Sequence, residues 1–309
     1  MPASAKVAAI GFMIFGCGCE MAGTTVSKIL AKWFKGKEMA LAMGLEMAIA
    51  RLGVFAVMWI SPLISSAFPS AAIAAPLGFC TALLLIGLIN FFVFTVMDSK
   101  FDKQLEAAGQ ATSEHSAEDE FHIRDLGKIF TSKMFWIVAM LCVLYYSAIF
   151  PFQRYAPNFL EETLGVTAET ASRLFSFFPI LAMVLTPFLG GFLDFKGKGA
   201  SMLMLGALIM IVCHLSFAFL LPVFPYKWLA FLLIIILGVS FSLVPAALWP
   251  SVPKIIDEKI LGSAYCVIFW VQNIGLCLVP LLIGSVLEAT GGYRVPMIIF
   301  SIFGVLAFL

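Results

Sequence analysis

Two ionisable residues lie deep within apolar stretches near the start of the chain, Glu20 and Arg51. The region that holds them, residues 16–53, consists of two apolar segments joined by a basic corner at 32–37. A charge at mid-membrane depth costs roughly 2.5–3.5 kcal/mol, so it persists mainly where it faces protein or water. An anion and a cation several ångströms apart suit the two ends of a zwitterion, and the arginine fork suits a carboxylate. We therefore interpret Glu20 and Arg51 as the poles of a zwitterion-binding site.

The alternative for this pair is a structural ion pair between adjacent helices, without a ligand. Space around the acid favours binding, because Gly16, Gly18 and Gly23 surround it and glycine opens room between helices. His214 is a lone histidine in an apolar segment, which is more typical of a core residue than of a proton relay.

The composition indicates a membrane protein that crosses the bilayer several times. The chain has 309 residues, of which 62% are hydrophobic and 12% charged, about half the charged fraction of a soluble domain. A net charge of +1 gives no support for a nucleic-acid partner,. The seven cysteines have no metal-ligand spacing apart from Cys17-x-Cys19, which we interpret as packing residues, so we expect no metal and no cofactor,.

An intramembrane enzyme would need a nucleophile with a base, or a paired set of metal ligands. No His/Asp, His/Glu or G-x-S-x-G arrangement occurs in the apolar segments,. We therefore predict that the protein is not an enzyme.

Apolar runs long enough to cross about 30 Å of hydrocarbon predict nine transmembrane helices. They cover residues 7–30, 39–60, 73–97, 134–153, 168–193, 200–221, 227–249, 261–287 and 295–309. Most of the 19 Lys and Arg residues fall at alternate corners, which places those corners in the cytoplasm and the N-terminus outside. The last run reaches only about 22 Å, so we expect the chain to be cut at its C-terminal end and at its N-terminal end.

One long hydrophilic segment, residues 98–133, divides the chain. It is acidic at 114–120 and has no hydrophobic periodicity, except at 121–130, which fits a short amphipathic helix on the membrane surface. We predict a partial N-terminal lobe at 1–97 with three helices, a cytoplasmic linker at 98–133, and a C-terminal lobe at 134–309 with six helices, the last truncated. This is the plan of a two-lobed secondary carrier without its first three spans.

A glycine-rich corner follows the fifth predicted span: Gly190, Asp194, Gly197 and Lys198 stand in a G-x-x-x-D-x-x-G-K pattern. Glycines permit a tight turn and close helix approach, and Asp194 can cap a helix or pair with a basic residue. The alternative is an ordinary polar turn. At a cytoplasmic corner the pattern resembles the signature loop of the major facilitator superfamily, which implies an all-α major facilitator fold, here incomplete.

A closer resemblance runs along nearly the whole chain. It is carried, in this order and spacing, by residues 33–38, 47–53, 142–152, 247–250, 261–265 and 272–276. Together these segments resemble the branch of the superfamily that contains the lysosomal dipeptide transporters of animals and their bacterial relatives. The resemblance implies that the nine helices are the fourth to twelfth of twelve.

The resemblance also implies a carrier that moves dipeptides by rocking two lobes about a central cavity. On that basis Glu20 holds the amino group of the peptide, Arg51 holds its carboxylate, and Trp249 lies opposite them. The family also tends to have an arginine where this chain has Phe12, which leaves open whether transport is passive or coupled to protons.

Aromatic and amide residues of the second lobe complete the predicted site. Tyr145, Tyr146 and Phe150 fit the aromatic wall that side chains of varied size require, although adjacent helical residues point about 100° apart, so at most one tyrosine faces the cavity. Gln272 and Asn273 either hold a neighbouring helix or contact the substrate.

The expected partners are a dipeptide or similar zwitterion and the lipid bilayer, with protons as a further partner if transport is coupled to them. Competing interpretations are a carrier of the same fold for an amino acid or another small organic anion, and a fragment that does not transport by itself. The short loops favour a bacterial cytoplasmic membrane, and an animal source would indicate the lysosome.

Overall fold

The computed structural model describes residues 3–33, 39–107, 127, 129–196, 198–256 and 261–309. Nearly all of these residues are helical, and none of them forms a strand. The helices are α1 (Ala3–Trp33), α2 (Met39–Ala67), α3 (Ala74–Ala107), α4 (Lys133–Leu164), α5 (Ala168–Phe175), α6 (Phe177–Lys196), α7 (Gly199–Leu215), α8 (Lys227–Leu248), α9 (Leu261–Thr290) and α10 (Arg294–Phe308).

Seven described helical segments are long and apolar enough to cross a membrane, and two shorter apolar helices, Ala5–Cys19 and Arg294–Phe308, lie at the first and last predicted spans. The predicted fold class, an all-α polytopic membrane protein, is confirmed. α4 extends beyond its predicted end at residue 153 to Leu164. It is capped at its start by Ser132, whose side chain accepts a hydrogen bond from the Phe135 amide, and at its end by Gly165, whose φ of 62° is a left-handed conformation that glycine adopts easily,.

The fifth predicted span is two helices rather than one. α5 is capped by Thr167, whose side chain accepts from the Thr170 amide, and ends at Phe175, and α6 starts at Phe177. α7 continues through a π-helical turn, Ser216–Leu220, into a final short segment. Helix geometry of this kind is not visible in hydropathy, which reports only where apolar residues are concentrated.

Two compact units make up the chain, Met1–Gly53 and Val54–Leu309. The first contains α1 and the start of α2, and therefore both Glu20 and Arg51. The second contains the remainder of α2 and every later helix. The predicted boundaries of the two lobes and their linker stay a prediction, and most of the predicted surface helix at 121–130 lies outside the described residues.

The core of the second unit is rich in phenylalanine. Phe152 of α4 stacks on Phe217 at 5.3 Å and meets the edge of Phe300 in α10 at 6.2 Å. His214 is fully buried among these rings, and its Nδ1 donates to the Met210 carbonyl at 2.9 Å. Aromatic contacts of this kind stabilise beyond the area they bury, so this cluster holds α4, α7 and α10 together.

Candidate functional site

Three of the predicted residues form one aromatic cluster in the second unit. Tyr146 and Phe150 lie one turn apart on α4, and their rings stack at 5.3 Å with an interplanar angle of 14°. The Trp249 indole donates a hydrogen bond to the Tyr146 hydroxyl at 3.1 Å. We call Tyr146, Phe150 and Trp249 the aromatic wall.

Residues that the sequence reasoning missed hold Trp249 in place. Its ring stacks on Phe269 of α9 at 4.9 Å, and the Tyr265 hydroxyl donates to its carbonyl at 3.2 Å. Tyr265 and Phe269 lie one turn apart on α9, so they present one face to the indole. The four-residue spacing of these two aromatic residues is the feature of the sequence that could have identified them.

Tyr145 has a different environment from its neighbour. Its hydroxyl lies 2.9 Å from Ser240 Oγ, and the serine hydroxyl donates in turn to the Gly206 carbonyl at 2.7 Å. Because the serine proton is directed at that carbonyl, Tyr145 is the donor in the first bond. Tyr145 and Ser240 are both buried, and this polar chain connects α4, α8 and α7. Of the two tyrosines, Tyr146 is therefore the one that adjoins Trp249.

The two amides of α9 also differ. Gln272 is buried and its Oε1 accepts a hydrogen bond from the Cys142 thiol of α4 at 3.2 Å. Asn273 is exposed, and its Nδ2 donates to the Phe269 carbonyl of the same helix at 3.0 Å. For Gln272 the structure thus shows a contact that holds a neighbouring helix. Substrate binding by either amide stays a prediction.

A cavity of about 400 Å³ lies beside the aromatic wall. Its described lining comes from α2, α4 and α9: Met58, Phe150, Pro151, Gln153, Arg154, Leu276 and Pro280. The Tyr155 hydroxyl donates to the Pro280 carbonyl at 3.2 Å, which fixes α9 against α4 at this level. Phe150 belongs both to the aromatic wall and to the cavity.

A polar contact joins α2 to α5. The Trp59 indole donates to Ser176 Oγ at 2.7 Å, and the Ser172 hydroxyl donates to the Met58 carbonyl at 2.8 Å. The Arg173 guanidinium lies 4.9 Å from the centre of the Trp59 ring and pairs with Glu169 at 2.5 Å. The charge rule predicts that this end of both helices lies on the non-cytoplasmic side. We call these residues the outer contact.

The first unit supplies less detail about its predicted charged pair. Glu20 lies in α1, and its side chain is outside the described residues. Arg51 lies in α2 and is half-buried. In the predicted signature loop, Gly190 and Asp194 lie in α6, and nothing beyond their backbone is described. Gly197 lies outside the described residues. Lys198 is exposed and immediately precedes α7. Their roles stay predictions.

Comparison with known proteins decides the family. A family model described as the Major Facilitator Superfamily matches residues 2–280. The chain belongs to the major facilitator superfamily. Members of this superfamily are transporters of small molecules rather than enzymes, so the chain is a multi-pass integral membrane protein of a transporter family. Among the described residues no group of three or more His, Cys, Asp or Glu side chains is placed to hold a metal ion.

Several curated superfamily members are similar to this chain. The lysosomal dipeptide transporter MFSD1 of Danio rerio is 31% identical over 289 residues, covering 91% of this chain and 60% of the relative. The lysosomal dipeptide transporter MFSD1 of Homo sapiens is 28% identical over 290 residues, covering 91% and 59%. The probable sulfoacetate transporter SauU of Cupriavidus necator is 25% identical over 302 residues, covering 93% and 67%. The chain spans about 60% of the length of the MFSD1 relatives.

Proposed function

We propose that this chain forms the substrate-binding part of a secondary carrier that moves dipeptides by alternating access, either passively or coupled to protons. Glu20 binds the amino group of the peptide and Arg51 binds its carboxylate. Tyr146, Phe150 and Trp249 accept the side chains. The dipeptide-transporter names of the MFSD1 relatives support the substrate class, and the superfamily match supports transport.

The observation that carries the proposal is the aromatic wall and the cavity next to it. The wall is fixed by the bond from the Trp249 indole to Tyr146, while the Phe150 ring reaches the cavity. A rigid aromatic surface contacts side chains of different size without matching any one of them, because stacking and apolar contact do not require a particular partner. A carrier of many dipeptides needs this combination of fixed charges and a tolerant wall.

Binding to the purified chain in lipid nanodiscs tests the proposal, with labelled Ala-Ala as the ligand. The proposal assigns binding to the residues named here, whereas uptake also requires two lobes that rock against each other. We expect Arg51→Ala and Glu20→Gln to weaken Ala-Ala binding by about 10- to 100-fold, because each removes a charge-assisted hydrogen bond worth about 1.5–3 kcal/mol.

Lys198→Ala is the matched control, because this exposed cation lies at the signature loop rather than at the proposed site. Its binding constant should equal that of the unchanged chain. Unaltered Ala-Ala affinity in both Arg51→Ala and Glu20→Gln would show that the charged pair is not the binding site.

A carrier of a small organic anion is the second candidate. The similarity to a probable sulfoacetate transporter supports it. A competition panel separates the two functions. If the protein is a dipeptide carrier, other dipeptides should displace labelled Ala-Ala, whereas free alanine and sulfoacetate should not. Displacement by sulfoacetate at lower concentration than by dipeptides would favour the anion carrier.

We propose the bacterial cytoplasmic membrane as the location of the protein. The described connections between successive helices are short, as at residues 165–167, 224–226 and 291–293. Membrane fractionation of the native host tests this location, and recovery from a lysosomal fraction of an animal cell would contradict it.

A further inference from the structure

We propose that Arg154 is a specificity-determining residue that binds a second carboxylate on the substrate, so that the carrier prefers dipeptides with an acidic side chain. The inference rests on the proposed function and deepens it. Arg154 is not one of the binding residues predicted from the sequence. It lies in the predicted second lobe, whereas the predicted charged pair lies in the first.

Arg154 lies on the same face of α4 as two residues of the aromatic wall,. Tyr146, Phe150 and Arg154 are spaced four residues apart on α4, so they follow one stripe of the helix surface,. Each step along the stripe rises about 6 Å. The stripe therefore runs from Tyr146, which is bonded to Trp249, through Phe150 to Arg154, and the last two residues line the same cavity.

The residues that line the cavity supply donors for a carboxylate. Arg154 and Gln153 supply N–H donors, and the other described lining residues are apolar. A carboxylate between them meets a planar fork that it can accept in bidentate geometry and an amide that adds a further hydrogen bond. Arg154 is exposed, so the fork geometry rather than a low local dielectric constant gives this pair its specificity,.

The size of a dipeptide matches the spacing of residues along this face of α4. Its two Cα atoms are about 3.8 Å apart, so the two side chains leave the backbone at different positions along the stripe. When an apolar side chain lies against Phe150, the other is within about one helical turn of Arg154. An acidic side chain at that position pairs with the guanidinium, whereas its amide counterpart keeps the shape and loses the charge.

An arginine near the outer end of a span has a simpler alternative role. Its long side chain can extend to the lipid headgroups and anchor the helix there. That role predicts the same effect of substitution on every ligand. The carboxylate-binding role predicts an effect only on ligands with the additional negative charge.

The experiment measures Kd for Ala-Glu, Ala-Gln, Ala-Ala and glutarate with the full 309-residue chain in lipid nanodiscs. The unchanged chain should bind Ala-Glu about tenfold more tightly than Ala-Gln, the ratio that corresponds to about 1.4 kcal/mol. Arg154→Gln should remove this ratio while the Kd for Ala-Gln stays within about twofold, because Ala-Gln has no side-chain charge to pair with the guanidinium. Arg154→Lys should keep part of the ratio, since it retains the charge without the fork.

Arg294→Gln is the matched control. Arg294 lies on the same side of the membrane, with its guanidinium 4.6 Å from the Phe219 ring, and is not among the described residues that line the cavity. This variant should retain the full Ala-Glu to Ala-Gln ratio.

Each contrary result has a distinct meaning. An Ala-Glu to Ala-Gln ratio that persists in Arg154→Gln, or an equal loss for all four ligands, overturns the role of Arg154 and leaves the dipeptide function standing. Glutarate binding that depends on Arg154, without binding of any dipeptide, overturns the dipeptide function and supports the anion site. Absence of binding by all four ligands overturns both proposals.

Discussion

Helices α3 and α8 are similar in sequence character and opposite in environment. Both are long and strongly apolar, and both qualify as membrane spans. The apolar window of α8 is 72% buried, whereas none of the corresponding described window of α3 is buried. Hydropathy therefore identifies a helix that can cross a membrane, and it does not identify what that helix packs against.

The polar residues of the two helices show where the difference arises. In α8, Ser240 bonds to α7 and receives a bond from α4, and a methyl group added at Gly238 would meet Leu181 at 3.1 Å. In α3, Thr81 and Thr95 bond back to carbonyls of their own helix. Small and polar residues drive association between membrane helices only when a second helix is close enough to use them.

Leucine truncation gives the largest expected contrast between these helices. Leu237 in α8 is fully buried, and Leu84 in α3 is 59% exposed. Leu237→Ala should lower the free energy of unfolding by about 2 kcal/mol or more, because the lost packing leaves a cavity. Leu84→Ala should change it by less than about 0.5 kcal/mol. Chemical unfolding in lipid micelles, followed by circular dichroism, measures both, and equal losses would show that α3 is as tightly packed as α8.

A methyl group at Gly275 should also destabilise the second unit. In α9 this methyl would collide with Ser147 Oγ and lie 2.9 Å from Val143 Cγ1, both on α4. Overpacking of this kind costs about 1–3 kcal/mol, so Gly275→Ala should lower the unfolding free energy by that amount.

Two further variants sharpen the Gly275 test. Gly284→Ala on the same helix is the control, because its methyl would meet only the Tyr155 hydroxyl, at 3.4 Å. Ser147→Ala should restore part of the loss, since Ser147 Cβ is 3.8 Å from the new methyl. If Gly275→Ala matches the unchanged chain, α4 and α9 are not in close contact there.

The buried polar chain of Ser240 should contribute a comparable amount. Ser240→Ala removes the acceptor for Tyr145 and the donor to Gly206, and leaving buried partners unsatisfied costs about 1–3 kcal/mol. Combined with Tyr145→Phe, the loss should be less than additive, which a double-mutant cycle of unfolding free energies detects. Thr81→Ala in α3 is the control and should have almost no effect. Full additivity would mean that Tyr145 and Ser240 do not interact.

The outer contact gives the smallest expected effect. Trp59→Phe keeps a ring for Arg173 and loses the N–H that bonds to Ser176, so unfolding free energy should fall by about 1 kcal/mol. Trp228→Phe is the control, because Trp228 is exposed and its ring stacks on neighbouring Tyr226. Thermal unfolding of both variants in nanodiscs measures the difference. Equal unfolding midpoint temperatures for the two variants would show that the outer contact does not stabilise the protein.

The sequence predicted the helices and the all-α membrane fold well, because long apolar runs are a strong signal. It also selected Tyr146, Phe150 and Trp249, which the structure brings together. It missed the break at Ser176 and the bonds of Ser240, because these depend on which helices become neighbours. One buried serine in an apolar helix has no local feature that distinguishes it from an exposed one.

The outer contact has a consequence for how often the two helices that form it separate. Its two hydrogen bonds are worth about 1 kcal/mol each and its cation–π contact about 0.5–1 kcal/mol. Together they favour the joined arrangement by about a factor of 100. At any moment roughly one molecule in a hundred therefore has these bonds broken by thermal motion alone. A contact of this strength breaks and re-forms by thermal motion, without requiring an external energy source.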